Sequence, residues 1–99
     1  MANRIDGKNN YIDTWTDDIT IVSKGVPARV RKVILFSASV GDLLYLEDGL
    51  GNQVGLVAQQ RAAGTTPEDF YNQSFNGLQI DVSDCTGLGS GDKAWIYLE

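Results

Sequence analysis

An all-β fold is predicted for this 99-residue chain: a small antiparallel β-sandwich or jelly-roll-like barrel of about seven short strands, preceded by an extended N-terminal arm. Two observations carry that prediction. Short runs alternate between apolar and polar residues with a period of two, as in Asp18-Ile19-Thr20-Ile21-Val22-Ser23 and Gln53-Val54-Gly55-Leu56-Val57. Between such runs lie turns rich in glycine, asparagine and aspartate; the chain has 11 glycines but only 2 prolines, a balance that suits tight turns over helix stops.

In chain order, residues 1–16 are polar with little period, and Asn9-Asn10 reads as a turn, so this stretch is expected to be an arm ordered only against a neighbour. Trp15 stands out in it, either as a plug for the end of the core or as an anchor on another subunit. Residues 17–99 are expected to form one β-sandwich domain. Its first strand is Asp18–Ser23, ended by Lys24-Gly25-Val26-Pro27. The second, Arg29–Ser37, places Val30, Ile34 and Phe36 in one register and Val33 and Leu35 in the other, which predicts burial on both faces. Leu43–Glu47 and Gln53–Gln59 form a hairpin around Asp48-Gly49-Leu50-Gly51-Asn52. Thr66-Pro67-Glu68-Asp69 has the form of a helix start, predicting one helical turn or an irregular loop. Leu78–Val82 and Ala94–Leu98 complete the strands.

The alternation is two-sided. In the last strand Ala94, Ile96 and Leu98 share one face, while Trp95, Tyr97 and Glu99 share the other; Tyr45 sits on the corresponding side of its strand, beside Glu47. Aromatics that are apolar in body and polar at the tip are enriched where proteins meet proteins. Trp15, Tyr45, Trp95 and Tyr97 are therefore the candidate interface residues, joined by Arg29 and Arg31 from a basic cluster suited to salt bridges with neighbours. The alternative is that the aromatics cover a second layer of the same sandwich.

Chemistry is hard to find. The chain has no histidine, which removes the Ser-His-Asp and Cys-His arrangements and the commonest metal ligand. Its one cysteine, Cys85, has an acid beside it and no basic activator, so it reads as a structural thiol; with no partner cysteine it forms no intrachain disulfide. The loop Gly87-Leu88-Gly89-Ser90-Gly91-Asp92-Lys93 fails as a phosphate cradle because Asp92 precedes the lysine and Ala94 opens a strand. Asp81-Val82-Ser83-Asp84-Cys85-Thr86-Gly87, with Asp92 as an assisting ligand, faintly resembles a calcium loop but lacks its distal glutamate; solvated turn acids are the alternative. No catalytic residue, cofactor or metal is expected, and the chain is read as a non-enzyme.

Net charge is −5, which argues against generic binding to nucleic acid or an anionic membrane. The charge is graded: residues 1–32 carry six Lys/Arg against four Asp/Glu, and residues 66–99 one against six. No apolar stretch approaches a membrane span, and the start lacks the apolar core of a signal peptide, so synthesis in a cytoplasm is the expectation.

The order of motifs carries one resemblance. Val30-Arg31-Lys32-Val33-Ile34-Leu35 is followed by Gly41-Asp42-Leu43-Leu44-Tyr45-Leu46-Glu47-Asp48, the Gly51-Asn52 turn, Phe75-Asn76-Gly77-Leu78-Gln79-Ile80 and a final Ile96-Tyr97-Leu98. Over residues 17–99 this resembles small β-rich structural proteins of tailed bacteriophages, which are similar to capsid decoration (cement) proteins. The resemblance implies a virion protein on the phage head surface, bound to the major capsid protein or other virion proteins, and a homo-oligomer such as a trimer. It brings no catalytic residues. A head–tail connector, tail or fibre-attachment β-sandwich, and a carbohydrate-binding module with Tyr45, Trp95 and Tyr97 as its platform, are the alternatives.

Overall fold

The structure is a computed structural model that describes residues 3–5, 8–60, 64–89 and 91–99. It is all-β. Six strands, β1 (Asn9–Ile12), β2 (Ile19–Ser37), β3 (Leu43–Glu47), β4 (Gln53–Ala58), β5 (Gly64–Ile80) and β6 (Lys93–Leu98), form one sheet in the order β1-β6-β2-β5-β3-β4. Every pairing is antiparallel. A 3₁₀ turn, Val82–Asp84, follows β5.

Two long strands organise the sheet. The runs expected to be separate strands before and after Lys24-Gly25-Val26-Pro27 are one 19-residue strand, β2. That tetrapeptide is a corner instead of an end. Between the pairs Val22↔Leu78 and Pro27↔Asn76, β2 has three more residues than β5, and Gly25 absorbs the excess with φ of 89°. The Asn76 side chain accepts the Gly25 N–H at 2.8 Å. Opposite lies Gly77, also at positive φ (77°), where an added Cβ would stand 3.1 Å from Lys24 main chain. Bends in both strands let the C-terminal part of β2 with β1, β6 and the start of β5 face the hairpin β3–β4 and the end of β5. The closeness of the two halves is clearest at Gly55 of β4, where any side chain would overlap the Phe70 ring of β5.

One core lies between the halves. Val33, Leu35, Ala94 and Ile96 come from one side and Leu44, Leu46, Val57, Leu78 and Ile80 from the other, all essentially inaccessible. Each fully buried aliphatic side chain contributes about 1.5–3 kcal/mol relative to exposure.

Three expectations are corrected by long-range pairing. Residues 1–16 do not make a loose arm: β1 pairs with β6 from Asn9↔Tyr97 to Ile12↔Ala94. Within it Asn10 is buried, not a turn, and its amide donates to the Ile96 carbonyl at 3.2 Å. Thr66-Pro67-Glu68-Asp69 starts no helix. It lies in β5, with Pro67 opposite Ile34, because thirteen residues of register with β2 outweigh one local capping signal. Proline is tolerated there because no strand pairs with β5 on its far side at that level. Finally, Val30 does not share a face with Ile34 and Phe36. A bulge at Arg31 shifts the register, so Val30 joins Val33 and Leu35 in the core.

Candidate binding face

The outer face of the first half is built by cross-strand neighbours. In β6, Ala94 and Ile96 point into the core, so Lys93, Trp95 and Tyr97 point out. Trp95 lies directly opposite Tyr11 of β1 and Ile34 of β2. The Tyr11 and Trp95 rings are 5.5 Å apart and tilted at 47°, within the range in which aromatic pairs attract. Tyr97 opposes Lys32, whose ammonium sits 6.0 Å from the ring centroid. Lys93 opposes Phe36, and Pro67 of β5 borders Ile34. Tyr11, Ile34, Phe36, Trp95 and Tyr97 are all half-buried: they shield one another, but no other strand lies over them among the described residues.

The six residues singled out from sequence divide by this geometry. Trp95 and Tyr97 are central to the face. Arg29 is at its margin, where its guanidinium pairs with Glu99 at 3.2 Å; both side chains are about half exposed, so the pair is worth only a few tenths of a kcal/mol. Arg31 is exposed in the β2 bulge, opposite the Phe70–Asn72 excursion of β5. Trp15 takes the first of its two readings, the plug. It is 6% exposed and closes the end of the core, with its indole N–H donating to the Asp92 carbonyl at 2.9 Å. Tyr45 belongs to β3 in the other half, apart from Trp95 and Tyr97, so the three rings do not make one platform. Tyr11, Ile34 and Phe36 were missed: Tyr11 because β1 is too short to display a period, the other two because β2 read as buried on both sides.

In the second half the edge of β3 away from β4 is closed by its own chain, while on the outer face Leu43 and Tyr45 are half-buried and Leu56 is 43% exposed. After β5, residues 81–86 turn back along that edge. Leu43 and Thr86 exchange two main-chain hydrogen bonds of 2.9 and 3.0 Å, and the Tyr45 N–H reaches the Cys85 sulfur at 3.4 Å. Burial, assisted by Asp84, Glu47 and Asp81, pushes the Cys85 thiol up and disfavours the nucleophilic thiolate.

Where this segment meets β3 the carboxyl oxygens of Glu47, Asp81 and Asp84 lie within 4.8 Å of one another. Burial, then a hydrogen bond shared with Asp84, pushes Glu47 up to about 7, against a weaker downward pull from Gln79. Asp81 instead lies below the usual carboxylate range because it accepts from the Ser83 hydroxyl and N–H at 2.6 and 3.1 Å. Asp92 is not in this group: its carboxylate closes its own turn by accepting the Gly89 N–H at 2.8 Å. Asp92 is therefore not brought to the Asp81–Gly87 stretch as an assisting ligand; Glu47 stands with Asp81 and Asp84 instead. A proton bound at Glu47 is the simplest way for these acids to share so small a space.

No helix among the described residues is long and apolar enough to cross a membrane. Comparison with protein-family models, with curated proteins and with solved structures finds no match to this chain.

Proposed function

We propose that this chain is a non-enzymatic structural protein of a tailed-bacteriophage virion, a decoration protein that docks on the capsid surface through the outer face of β1, β6 and β2. One observation carries the docking part. Tyr11, Ile34, Phe36, Trp95 and Tyr97 form a contiguous aromatic and aliphatic face with only partial cover, bordered by Lys32, Lys93 and the Arg29–Glu99 pair. An apolar centre with a charged rim is the composition of protein–protein interfaces. Tyr and Trp at such a centre typically supply most of the binding energy. The virion part rests on the motif order from Val30 to Leu98, which resembles small phage structural proteins. Each copy would bury a modest area, and symmetry-related copies would multiply the effect across a shell.

Mass spectrometry of purified phage particles is the direct test. A copy number in the hundreds supports a decoration protein; about a dozen points to a connector at the head–tail junction. Absence from particles overturns the proposal. For the face itself, shells lacking the protein are mixed with purified chain and sedimented: Trp95→Ala with Tyr97→Ala is expected to lower binding at least tenfold, equivalent to about 1.4 kcal/mol.

A further inference from the structure

Among the described residues the edges of β1, β5 and β4 are treated differently. The free side of β1 is closed by Arg4, whose N–H and carbonyl bond the Tyr11 carbonyl and N–H at 2.8 and 2.9 Å. The far side of β5 meets β3 only where Gln79 opposes Glu47. The open part of that edge carries Pro67, the charges of Glu68 and Asp69, and the consecutive positive φ angles of Tyr71 (54°) and Asn72 (59°). Proline, charge and irregularity are the standard means of stopping one sheet edge from pairing with another.

β4 is the least protected. Among the described residues it pairs with β3 alone, from Gln53 to Gln60 it holds no proline and no charge, and its one irregularity is the register shift at Val54, before Leu56. The Gln59 N–H donates to the Asp42 carbonyl at 2.9 Å, so alternation turns the main-chain groups of Val57 and Gly55 toward β3 and those of Leu56 and Ala58 outward. Leu56 is also 43% exposed, an unusual cost for an edge residue with no partner.

We infer that β4 pairs antiparallel with β4 of a second copy across a two-fold axis at Leu56, extending the sheet from one chain into the next. Unpaired main-chain donors and acceptors at strand spacing are matched by another extended strand. The occupant is a second copy because the edge is self-complementary. Leu56 meets its own equivalent, and the uncharged stretch lets two chains of net charge −5 approach without like charges face to face. The β5 edge, with Glu68 and Asp69, would place acid against acid in the same arrangement. This inference stands apart from the aromatic face and from any role in a virion.

The test is analytical ultracentrifugation of the full chain from micromolar to millimolar concentration, with amide hydrogen exchange followed by NMR. A monomer–dimer equilibrium is expected, with the Leu56 and Ala58 amides gaining protection as the dimer forms. Leu56→Lys, at an exposed position, is expected to keep the thermal transition of the monomer and weaken dimerisation about tenfold by opposing two like charges. Glu68→Lys on the β5 edge is the matched control and leaves the equilibrium unchanged. A chain that stays monomeric throughout, a dimer indifferent to Leu56→Lys, or protection that appears along β5 instead would each overturn the inference.

Discussion

The two halves of the bent sheet present outer faces of similar composition and finish them differently. The β3 face carries Leu43, Tyr45 and the acid Glu47 with Leu56 exposed opposite Tyr45, and residues 81–86 close the edge of the strand beside it, tied by the Leu43–Thr86 pair and the Cys85 sulfur. The β6 face carries Trp95 and Tyr97 with Tyr11, Ile34 and Phe36, and no strand lies over it among the described residues. The β3 side shows how this chain finishes a strand edge when it uses its own residues: a short turn and two main-chain hydrogen bonds. The β6 face has been left to side chains shielding one another. Its contiguous run of Tyr11, Ile34, Phe36, Trp95 and Tyr97 makes it the surface where a partner is expected.

The largest test compares neighbours on one strand. Ile96→Ala removes core packing and is expected to cost about 2–5 kcal/mol in denaturant unfolding. Trp95→Ala, adjacent but on the outer face, is expected to cost only about 1 kcal/mol, the loss of its pairing with Tyr11. Equal losses would mean that Trp95 belongs to a core and that the contrast between the faces is false.

Next in size is the segment along the edge of β3. Gly87 has φ of 77°, and a Cβ there would collide with the Asp42 carboxylate. Gly87→Val is expected to detach residues 81–86 at a cost of about 2–3 kcal/mol, through backbone strain and the clash together. Exposure of Cys85 to a thiol reagent reports the detachment directly. A variant whose Cys85 reacts no faster than the wild type would show that the segment is held elsewhere.

The smallest effect is that of pH. The folded chain keeps the Glu47 proton up to about 7, whereas the ordinary value is 4.5. Between those values the folded state binds more protons than the unfolded one, so this group makes stability fall as pH rises, with no further loss above about 7. Glu47→Gln keeps a hydrogen-bond donor and cannot ionise. The variant is expected to lose that decline, so its melting temperature gains on the wild type from pH 5 to 7.5. Parallel melting curves across this range would contradict a shared proton where the segment meets β3.

Legibility followed the range of the interactions. β3, β4 and β6 were readable because period-two alternation and the Asp48–Asn52 turn are local. In that turn the Asp48 carboxylate accepts the Leu50 and Asn52 N–H groups at 2.9 and 3.0 Å, with Asn52 the main cause of its lowered pKa. β1 was not readable: a four-residue strand becomes one only by pairing with β6, and the Asn10 bond to Ile96 spans 86 positions. The bulge at Arg31 was invisible for a similar reason. It is a mismatch between strands, so no one strand's sequence contains it. Glu47 could not be placed with Asp81 and Asp84 because the three meet only when the chain after β5 turns back along β3.

By itself, then, the sequence determined the all-β class, the hairpin, and the division of β6 into an aliphatic side and an aromatic one. These depend on side-chain alternation and turn chemistry within a few residues. Tertiary structure decided which aromatic surface stays open, that Trp15 closes the core instead of reaching outward, and which sheet edge is left least protected. Each depends on which strands become neighbours, and that choice is made by burial of the whole chain, not by any segment of it.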